Sequence, residues 1–386
     1  MEDLTTYVLI VDDEPNILSA LRRELKDWAA DRGLELITAP SGTIGLNILQ
    51  SKGDRTVLVI SDLKMPEMPG SDFLLAVRDK YPDIVTILLT GFFETKEVSK
   101  AVSAGISSFL LKPWESDYLV AEVEKAVRHG EIRRENEKYA RQIEEELKWA
   151  GEFQRSILKP SLPSTEGLEF RTSYRPVPGL YCGGDYYDVI FLGSDRYLVL
   201  IGDVAGHGVK AAFVTGILKA VIYPEYIRAV IGKDFSPGAF LSWLNERMSF
   251  EFRSSSDMII TFFAGVLDMK RNRFIYANAG QDHPFLIRGD VPTELPVTGT
   301  GIGMARTVSY LDHELPILPG DLLLFFTDGL SEAGGAGGTG RLNMAKILES
   351  VPSGADFHRR LMEAVLQSAG ARDFKDDVTI VTARVL

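Results

Sequence analysis

The first 120 residues alternate short apolar runs with amphipathic stretches. The apolar runs cover residues 7–11, 34–38, 57–60, 86–90 and 107–111, and runs this short suit buried strands. Between them, stretches such as residues 16–28 and 71–80 repeat apolar positions at helical spacing. Strands that alternate with helices predict a doubly wound α/β domain, with a five-stranded parallel sheet and helices on both faces.

From about residue 115 to 158, a polar stretch carries one narrow apolar stripe, and Pro160 and Pro163 end it. The stripe positions, mostly three, four or seven residues apart, are Leu119, Val123, Ala126, Ile132, Tyr139, Ile143, Leu147, Ala150 and Ile157. So polar a helix is not stable alone. We expect a helical coiled-coil linker that forms a parallel homodimer, although Gly130 weakens the stripe. The alternative is a solvated helix lying on its own domains.

The remainder of the chain has a different pattern. Strand-like runs cover residues 168–177, 186–192, 197–204, 259–268, 273–277, 285–287, 322–327 and 378–385, and several are joined by turn signals. Helical stretches cover residues 209–227, 237–253, 341–349 and 355–368. Strands in runs with helices in pairs predict an α+β domain, an α-β-β-α sandwich. The predicted domains are residues 1–118, 119–158 and 159–386.

Composition narrows the functional classes. The net charge of −12 argues against nucleic-acid binding by the chain as a whole. The single cysteine, Cys182, excludes an internal disulfide and is interpreted as a packed residue. We find neither a signal-peptide pattern at the start nor a stretch as long as a membrane span. We therefore expect a cytoplasmic protein without a membrane partner.

Polar side chains stand at the carboxyl ends of four predicted strands. Asp12 and Asp13 follow the first run, Asp62 the third and Lys112 the fifth, while Thr90 ends the fourth. These strand ends share one edge of a parallel sheet, where ligands gather. Three carboxylates can hold one Mg²⁺ and leave an aspartate oxygen to accept a phosphoryl group. The alternative is an ordinary doubly wound domain with charged loops.

The motifs at this edge resemble those of the bacterial response-regulator receiver family. They are Val-Asp-Asp-Glu-Pro at 11–15, Ser-Asp-Leu-Lys-Met-Pro at 61–66, Leu-Thr-Gly at 89–91 and Leu-Lys-Pro at 111–113. The resemblance implies that Asp62 accepts a phosphoryl group from a sensor histidine kinase and that Asp12 and Asp13 join it in binding Mg²⁺. It also implies that Thr90 and Lys112 contact the phosphoryl group.

Two further features follow from the same resemblance. The bond between Lys112 and Pro113 is expected to be cis. Phe109 stands where this family places an aromatic switch residue, and core packing is the alternative role for it.

Four acidic motifs occur in the second half, each at or next to the end of an apolar run. They are Gly-Gly-Asp-Tyr-Tyr-Asp at 183–188, Gly-Asp-Val-Ala-Gly-His-Gly at 202–208, Thr-Asp-Gly at 327–329 and Asp-Asp-Val-Thr at 376–379. Strand ends can bring distant carboxylates into one mouth, where divalent cations relieve their repulsion. Oxygen ligands favour Mg²⁺ or Mn²⁺, and two such ions can hold a phosphate and lower the pKa of a shared water. The alternative is aspartates in surface turns.

The order of these motifs resembles that of the metal-dependent protein phosphatases, the PPM family, and within it the bacterial branch typified by SpoIIE and RsbU. Asn-Ala-Gly at 278–280 and Gln154 near the helix end belong to the same pattern. The ligands that the resemblance implies for two Mn²⁺ or Mg²⁺ ions are Asp185, Asp203, Asp328, Asp376 and the backbone carbonyl of Val204. By the same resemblance, Asp203 is expected to bridge the ions and to be a catalytic residue. Asp377 is the alternative to Asp376, and Asp188 is expected to orient its loop.

Three features leave alternatives open. His207 is a proton donor to the leaving oxygen or a helix cap. Gln281 replaces the histidine that this branch usually has, with His283 two residues further on, so the role of that loop is open. The glycine-rich stretch 334–340 lacks the Lys-Ser/Thr of a phosphate-binding loop and suits a connection or flap.

The sequence thus predicts a response regulator whose phosphorylation controls a phosphoserine/phosphothreonine protein phosphatase. The resemblance implies hydrolysis without a covalent intermediate and a phosphorylated anti-sigma-factor antagonist as substrate in a partner-switching pathway. One alternative is a receiver-gated adaptor that uses a phosphatase-like fold only for binding. Another is a receiver that acts as a phosphate sink beside a constantly active phosphatase.

Overall fold

The structure is a computed structural model of the chain. It describes residues 5–91, 106–177, 179–206, 208–230, 233–252, 258–333 and 341–386, without the side chains of 221–224. The chain divides into two compact units, Met1–Ile143 and Glu144–Leu386. Each unit has hydrophobic cores of its own.

The first unit is built on a parallel sheet. Its strands are β1 Thr6–Val11, β2 Leu34–Ala39, β3 Thr56–Asp62, β4 Val85–Thr90 and β5 Ser108–Leu111, in the order β2-β1-β3-β4-β5. Its helices, before the long one described below, include α1 Pro15–Glu24, α2 Lys26–Asp31, α3 Gly42–Lys52 and α4 Gly70–Lys80. The predicted five-stranded parallel sheet is confirmed.

Both faces of this sheet are covered. Along β1, Val8 and Ile10 lie in one core, whereas Leu9 and Val11 lie in the other. Successive side chains of a strand point to opposite faces, so a run that is apolar throughout needs a packed layer on each side. This packing explains why the strands of the first unit read as continuous apolar runs.

The linker region forms one helix, α5, over Ser116–Leu158. The apolar stripe has different surroundings in different parts of this helix. Its first positions, Leu119, Val123 and Ala126, are buried in the core of the first unit, so the prediction that they face a second copy is wrong. Gly130 lies against the sheet, since a Cβ there would stand 2.3 Å from Val85 Cγ2.

The exposed part of the stripe begins beyond Gly130. Ile132, Tyr139 and Ile143 are 47%, 54% and 57% exposed, and they are spaced by seven and four residues. Three large apolar side chains on one helix face remain in contact with water in the single chain. This shorter segment is the part of the stripe that is available to a partner helix.

The second unit contains two antiparallel sheets of five strands each. One has the order β13-β10-β9-β8-β7 and the other β12-β11-β14-β15-β6. The strands are β6 Leu168–Arg175, β7 Asp185–Gly193, β8 Arg196–Val204, β9 Ile260–Asp268, β10 Arg273–Ala279, β11 Phe285–Arg288, β12 Val291–Glu294, β13 His313–Pro316, β14 Leu322–Phe326 and β15 Val378–Val385. The predicted two-sheet α+β arrangement is confirmed.

Helices cover the outer faces of both sheets. They are α6 Val209–Val221, α7 Pro237–Glu251, α8 Asp328–Ser331, α9 Met344–Leu348 and α10 Phe357–Ala369, and α6 continues into a π-helical turn Ile222–Ile227 and a short helix Arg228–Val230. Val199, Phe263 and Val381 share the core between the sheets. The sandwich therefore places the ends of β7, β8, β14 and β15 in one region, and these ends carry the acidic motifs.

Candidate functional site

The register of the sheets brings the acidic motifs together. Asp185 at the start of β7 pairs directly with Asp203 near the end of β8. Across the other sheet, the backbone N–H of Thr327 donates to the carbonyl of Thr379 at 3.1 Å. Asp328 follows Thr327 in sequence, so the last two motifs also meet at one end of their sheet.

Asp185 is buried and held by two hydroxyl groups. Its Oδ2 accepts hydrogen bonds from Thr327 Oγ1 at 2.9 Å and from Thr379 Oγ1 at 2.6 Å. Burial raises the pKa of Asp185 well above its ordinary value, and the charge of Asp377 adds to this effect. Sequence analysis missed both threonines as site residues, although each is part of a quoted motif.

Asp203 and Asp328 are the carboxylates with the least compensation. Burial is the main reason why the pKa of Asp203 is raised to about 9, and the charges of Asp185 and other carboxylates add to the effect. Burial, then the charge of Asp376, raises the pKa of Asp328 to about 6. Within the described ranges, neither side chain accepts a hydrogen bond or pairs with a cation. A buried carboxylate without a donor is costly, and a bound cation would remove that cost.

The two neighbouring acids of the last motif have different surroundings. Asp377 is buried, and its two oxygens accept backbone N–H groups from Val177 at 2.9 Å and Gly184 at 3.0 Å. Among the described residues, Asp376 Oδ1 accepts one hydrogen bond, from the backbone N–H of Asp377 at 2.8 Å. Asp377 thus fastens the loop that precedes Asp185, and Asp376 stays the predicted ligand.

Two glycines allow this close packing. A Cβ at Gly184 would stand 2.6 Å from the carbonyl oxygen of Val204 and 2.8 Å from Asp203 Oδ1. A Cβ at Gly183 would stand 2.0 Å from Asp377 Oδ2. Only a residue without a side chain fits at either position, so the Gly-Gly of the first motif has a steric cause.

The donor set matches a hard divalent cation in chemistry and in charge. Every predicted ligand presents oxygen, and burial together with neighbouring carboxylates raises the pKa values of Asp203 and Asp328. Within the residues that the structure describes, no three His, Cys, Asp or Glu side chains converge tightly enough to ligate one ion in this conformation.

Other acidic and amide residues of the motifs have structural contacts. Asp188, within strand β7, forms an ion pair with Lys219 of helix α6. Gln281 is buried, donates to the carbonyl of Phe326 at 3.0 Å and accepts from Thr261 Oγ1 at 2.5 Å. His283 contacts Glu294 at 2.6 Å. His207 and residues 334–340 lie outside the described residues.

The end of helix α5 is fastened to the same loop. Gln154 is buried, and its side-chain amide donates to the carbonyl of Gly183 at 2.8 Å and accepts from the N–H of Gly183 at 3.1 Å. It also donates to Thr215 Oγ1 at 2.9 Å, on helix α6. One side chain therefore ties two helices to the loop that positions Asp185.

We expect Gln154→Ala to lower both stability and hydrolytic activity. The change leaves buried polar groups of the 183–184 loop without partners, at a cost of about 1–3 kcal/mol each. Thermal denaturation and phosphopeptide hydrolysis measure the two effects. Gln142→Ala is the matched control, because Gln142 is exposed on the same helix. If Gln154→Ala matches Gln142→Ala in both assays, the helix end does not hold the loop.

The first unit has a second polar cluster at the carboxyl edge of its sheet. Lys112 Nζ contacts Asp12 Oδ2 at 2.7 Å and Asp62 Oδ1 at 2.5 Å. Burial alone would lower the pKa of Lys112, but its hydrogen bonds to the two aspartates raise it overall. Thr90 is buried at the end of β4, and Asp13 is exposed beside Asp12. The structure thus joins Asp12, Asp62 and Lys112 directly.

Two smaller expectations for this unit can be compared with the structure. The bond between Lys112 and Pro113 is cis, as predicted. Phe109 is 45% exposed, which does not agree with a role in core packing. No helix among the described residues is both long and apolar enough to cross a membrane.

Comparisons with known proteins agree with the division of the chain into two units. Residues 193–386 match the family described as Stage II sporulation protein E (SpoIIE), and residues 8–124 match the response regulator receiver domain. The SiaA-PP2C domain of Pseudomonas aeruginosa is a similar solved structure, with a TM-score of 0.53 and 25% identity. That alignment covers 64% of this chain and 99% of the SiaA domain.

Curated relatives match parts of the chain. Phosphoserine phosphatase RsbU of Bacillus subtilis is 25% identical over 63% of this chain and 71% of its own length. Protein IcfG of Synechocystis is 26% identical over 49% of this chain, and HoxA of Cupriavidus necator is 34% identical over 33% of it. The chain spans only 33% of IcfG and 25% of HoxA.

The fold and the two clusters define a receiver domain joined to a PP2C-type phosphatase fold. The chain belongs to the SpoIIE family and carries a response regulator receiver domain ahead of the family region.

Proposed function

We propose that this protein is a metal-dependent phosphoserine/phosphothreonine protein phosphatase whose activity is controlled by phosphorylation of its receiver domain. One observation carries the proposal. Asp185, Asp203, Asp328 and the pair at 376–377 come from four separate motifs, yet Asp185 pairs directly with Asp203 in the sheet. Burial, together with the charges of the other carboxylates, raises the pKa of Asp203 to about 9. Such a concentration of buried negative charge is typical of a site for divalent cations.

Each part of the site has a separate task. Thr327 and Thr379 fix the orientation of Asp185, and Asp377 fixes the loop in front of it. Asp203 and Asp328 offer carboxylates that are free of hydrogen-bond donors within the described residues. When bound, a pair of Mg²⁺ or Mn²⁺ ions would hold the substrate phosphate and lower the pKa of a water molecule. The reaction is hydrolysis of the phosphate ester, with the seryl or threonyl oxygen leaving.

The proposed control element is the cluster of the first unit. Asp62 would accept the phosphoryl group from a sensor histidine kinase, and Mg²⁺ at Asp12, Asp13 and Asp62 would assist. Lys112 already contacts Asp62, so a phosphoryl group there would change its ion pairs. The proposed domain limits stay 1–118, 119–158 and 159–386, and the signal would pass through the helical linker between receiver and phosphatase.

The proposed substrate is a serine-phosphorylated anti-sigma-factor antagonist in a partner-switching pathway. Support comes from the similarity to RsbU, which is named a phosphoserine phosphatase. Incubation of the purified chain with such a phosphoprotein should release phosphate with Mn²⁺ or Mg²⁺ and not with EDTA. Beryllofluoride, which mimics a phosphoryl group on aspartate, should change that rate. Binding of the phosphoprotein without phosphate release would favour the adaptor, and an unchanged rate would favour the phosphate sink.

The linker is proposed to transmit the signal as part of a parallel homodimer through the exposed segment from Ile132 to Ile143. Each residue inserted near Asn136 turns the following helix by about 100°. We expect insertions of one to three residues to remove the effect of beryllofluoride on hydrolysis while some hydrolysis remains. A seven-residue insertion, which restores the repeat of a coiled coil, is the control and should keep the effect. If beryllofluoride still changes the rate of hydrolysis after every insertion, the helix does not transmit the signal.

A further inference from the structure

A cleft lies beside Asp185 at the open edge of the sandwich, between strands β6 and β7. Its volume is about 350 Å³. Its floor is formed by Thr172 and Tyr174 of β6 and by Tyr187 of β7, and its outer wall by the last turn of helix α5 and the segment that follows it. Because Asp185 lines one end, the cleft leads directly to the carboxylate cluster.

The outer wall carries two cationic side chains. Arg155 and Lys159 are one helical turn apart and both line the cleft. Where the structure describes the chain, Arg155 makes one long hydrogen bond of 3.4 Å, to the carbonyl of Tyr181. Over the described parts of the chain, neither cation pairs with a carboxylate, although the chain has a net charge of −12. Two unpaired cations beside a site that handles anionic substrates offer charge complementarity to an acidic ligand.

The remaining lining is mostly apolar and aromatic. Leu158, Pro160 and Leu162 face the cleft together with the rings of Tyr174 and Tyr187, whose centroids are 6.3 Å apart. Such a surface accommodates one apolar side chain, and aromatic rings are effective at binding apolar groups. The cleft therefore combines an apolar floor with a basic rim.

The phenol of Tyr174 adds a hydrogen-bond donor at the inner end. Burial, with the charges of Asp377 and Asp185, raises the pKa of Tyr174 well above its ordinary value, against the opposing effect of Arg155. Tyr174 thus keeps its proton at neutral pH. Its hydroxyl group has no hydrogen-bond partner among the described residues and lies close to the 183–184 loop, since a Cβ at Gly183 would stand 2.4 Å from it.

We propose that this cleft binds the segment of the substrate protein that flanks the phosphorylated residue, with an acidic side chain on Arg155 and Lys159 and an apolar side chain against the rings of Tyr174 and Tyr187. The inference rests on the proposed phosphatase function and assigns a specificity to it. The ligand is a peptide of acidic and apolar character, because both the unpaired cations and the apolar floor must be matched. Direct continuity with Asp185 allows one chain to occupy the cleft and the carboxylate site together.

Phosphoserine peptides of matched length test the proposal. The test peptides carry glutamate and leucine next to the phosphoserine, N-terminal to it in one peptide and C-terminal to it in another. In the comparison peptides, lysine replaces the glutamate or glycine replaces the leucine. We expect the full-length wild-type chain with Mn²⁺ to have about a tenfold lower KM for the glutamate–leucine peptide than for the lysine peptide, with similar kcat. The glycine peptide should have an intermediate KM.

Variants then locate the effect. Arg155→Gln combined with Lys159→Gln should raise KM for the glutamate–leucine peptide about tenfold, leave kcat within about twofold and leave KM for the lysine peptide unchanged. Lys148→Gln is the matched control, because Lys148 is exposed on the same helix and does not line the cleft. The cleft proposal is wrong if all peptides have the same KM, or if the double variant has the same KM values as Lys148→Gln. Either result leaves the proposed phosphatase function intact. Absence of hydrolysis of every peptide would overturn the phosphatase function itself.

Discussion

Replacing Asp203 by asparagine should reduce Mn²⁺-dependent hydrolysis of a phosphoserine peptide by at least about 100-fold. Asp203 lies opposite Asp185 in the sheet register, and its carboxylate accepts no hydrogen bond within the described residues. Asparagine keeps the size of the side chain and removes the charge that would bind the cation. Initial rates at saturating Mn²⁺ measure the effect.

The same variant should behave in the opposite way in a stability assay. Burial and neighbouring carboxylates raise the pKa of Asp203 to about 9 in the folded, metal-free protein, against an ordinary value of 3.8. The folded state then binds a proton that the unfolded state releases between these pH values. The contribution of Asp203 to stability is therefore fully present below about pH 4 and is lost as the pH rises toward 9. Asp203→Asn avoids this loss.

Thermal denaturation in EDTA should therefore show Asp203→Asn to be more stable than the wild type at pH 8, with a smaller difference at pH 5. Added Mn²⁺ should raise the Tm of the wild type and not that of the variant. Asp356→Asn, at an exposed aspartate paired with Arg359, is the control and should resemble the wild type in every assay. Full activity of Asp203→Asn, or equal stabilisation of both proteins by Mn²⁺, would contradict the metal assignment.

Most of the fold could be predicted from the sequence because most of its strands are buried. The strands of the first unit read as continuous apolar runs, since both faces of their sheet are covered. Strands β12 and β13 were missed for the opposite reason. Val291–Glu294 and His313–Pro316 are short edge strands whose residues are exposed or half-buried, so they lack the apolar alternation by which strands are recognised.

The candidate site was predictable in its acids and not in its supporting contacts. Asp185 and Asp203 stand in motifs at strand ends, and the motifs themselves indicate cation binding. The hydrogen bonds from Thr327 and Thr379 to Asp185 join positions more than a hundred residues apart, and no local pattern encodes such a pairing. The same holds for Gln154, whose contact with Gly183 depends on how the end of α5 packs.

The apolar stripe of the linker shows where periodicity misleads. Leu119 and Val123 have the spacing of a coiled-coil seam, yet they complete the core of the first unit. Spacing identifies the face of a helix that is apolar and says nothing of what covers that face. Only the exposure of Ile132, Tyr139 and Ile143 separates the part that is available to a second copy from the part that is already packed.

Replacing Asp62 by asparagine should abolish phosphorylation of the chain by a small phosphodonor such as acetyl phosphate. Asp62 lies at the end of β3, where its Oδ1 contacts Lys112 at 2.5 Å and its Oδ2 accepts the N–H of Lys64 at 2.8 Å. Asparagine lacks the carboxylate oxygen that attacks phosphorus and cannot form an acyl phosphate. Intact-mass measurement should show one added phosphoryl group on the wild type and none on the variant.

The variant should remain folded, because Lys112 keeps its ion pair with Asp12 at 2.7 Å and the core around β3 is unchanged. Asp79→Asn, at an exposed aspartate beside Arg78, is the control and should be phosphorylated like the wild type. Hydrolysis by Asp62→Asn should no longer respond to acetyl phosphate, whereas hydrolysis by Asp79→Asn should respond fully. A phosphoryl group on Asp62→Asn would place the acceptor elsewhere and contradict the assignment of Asp62 as the residue through which the receiver domain controls the phosphatase.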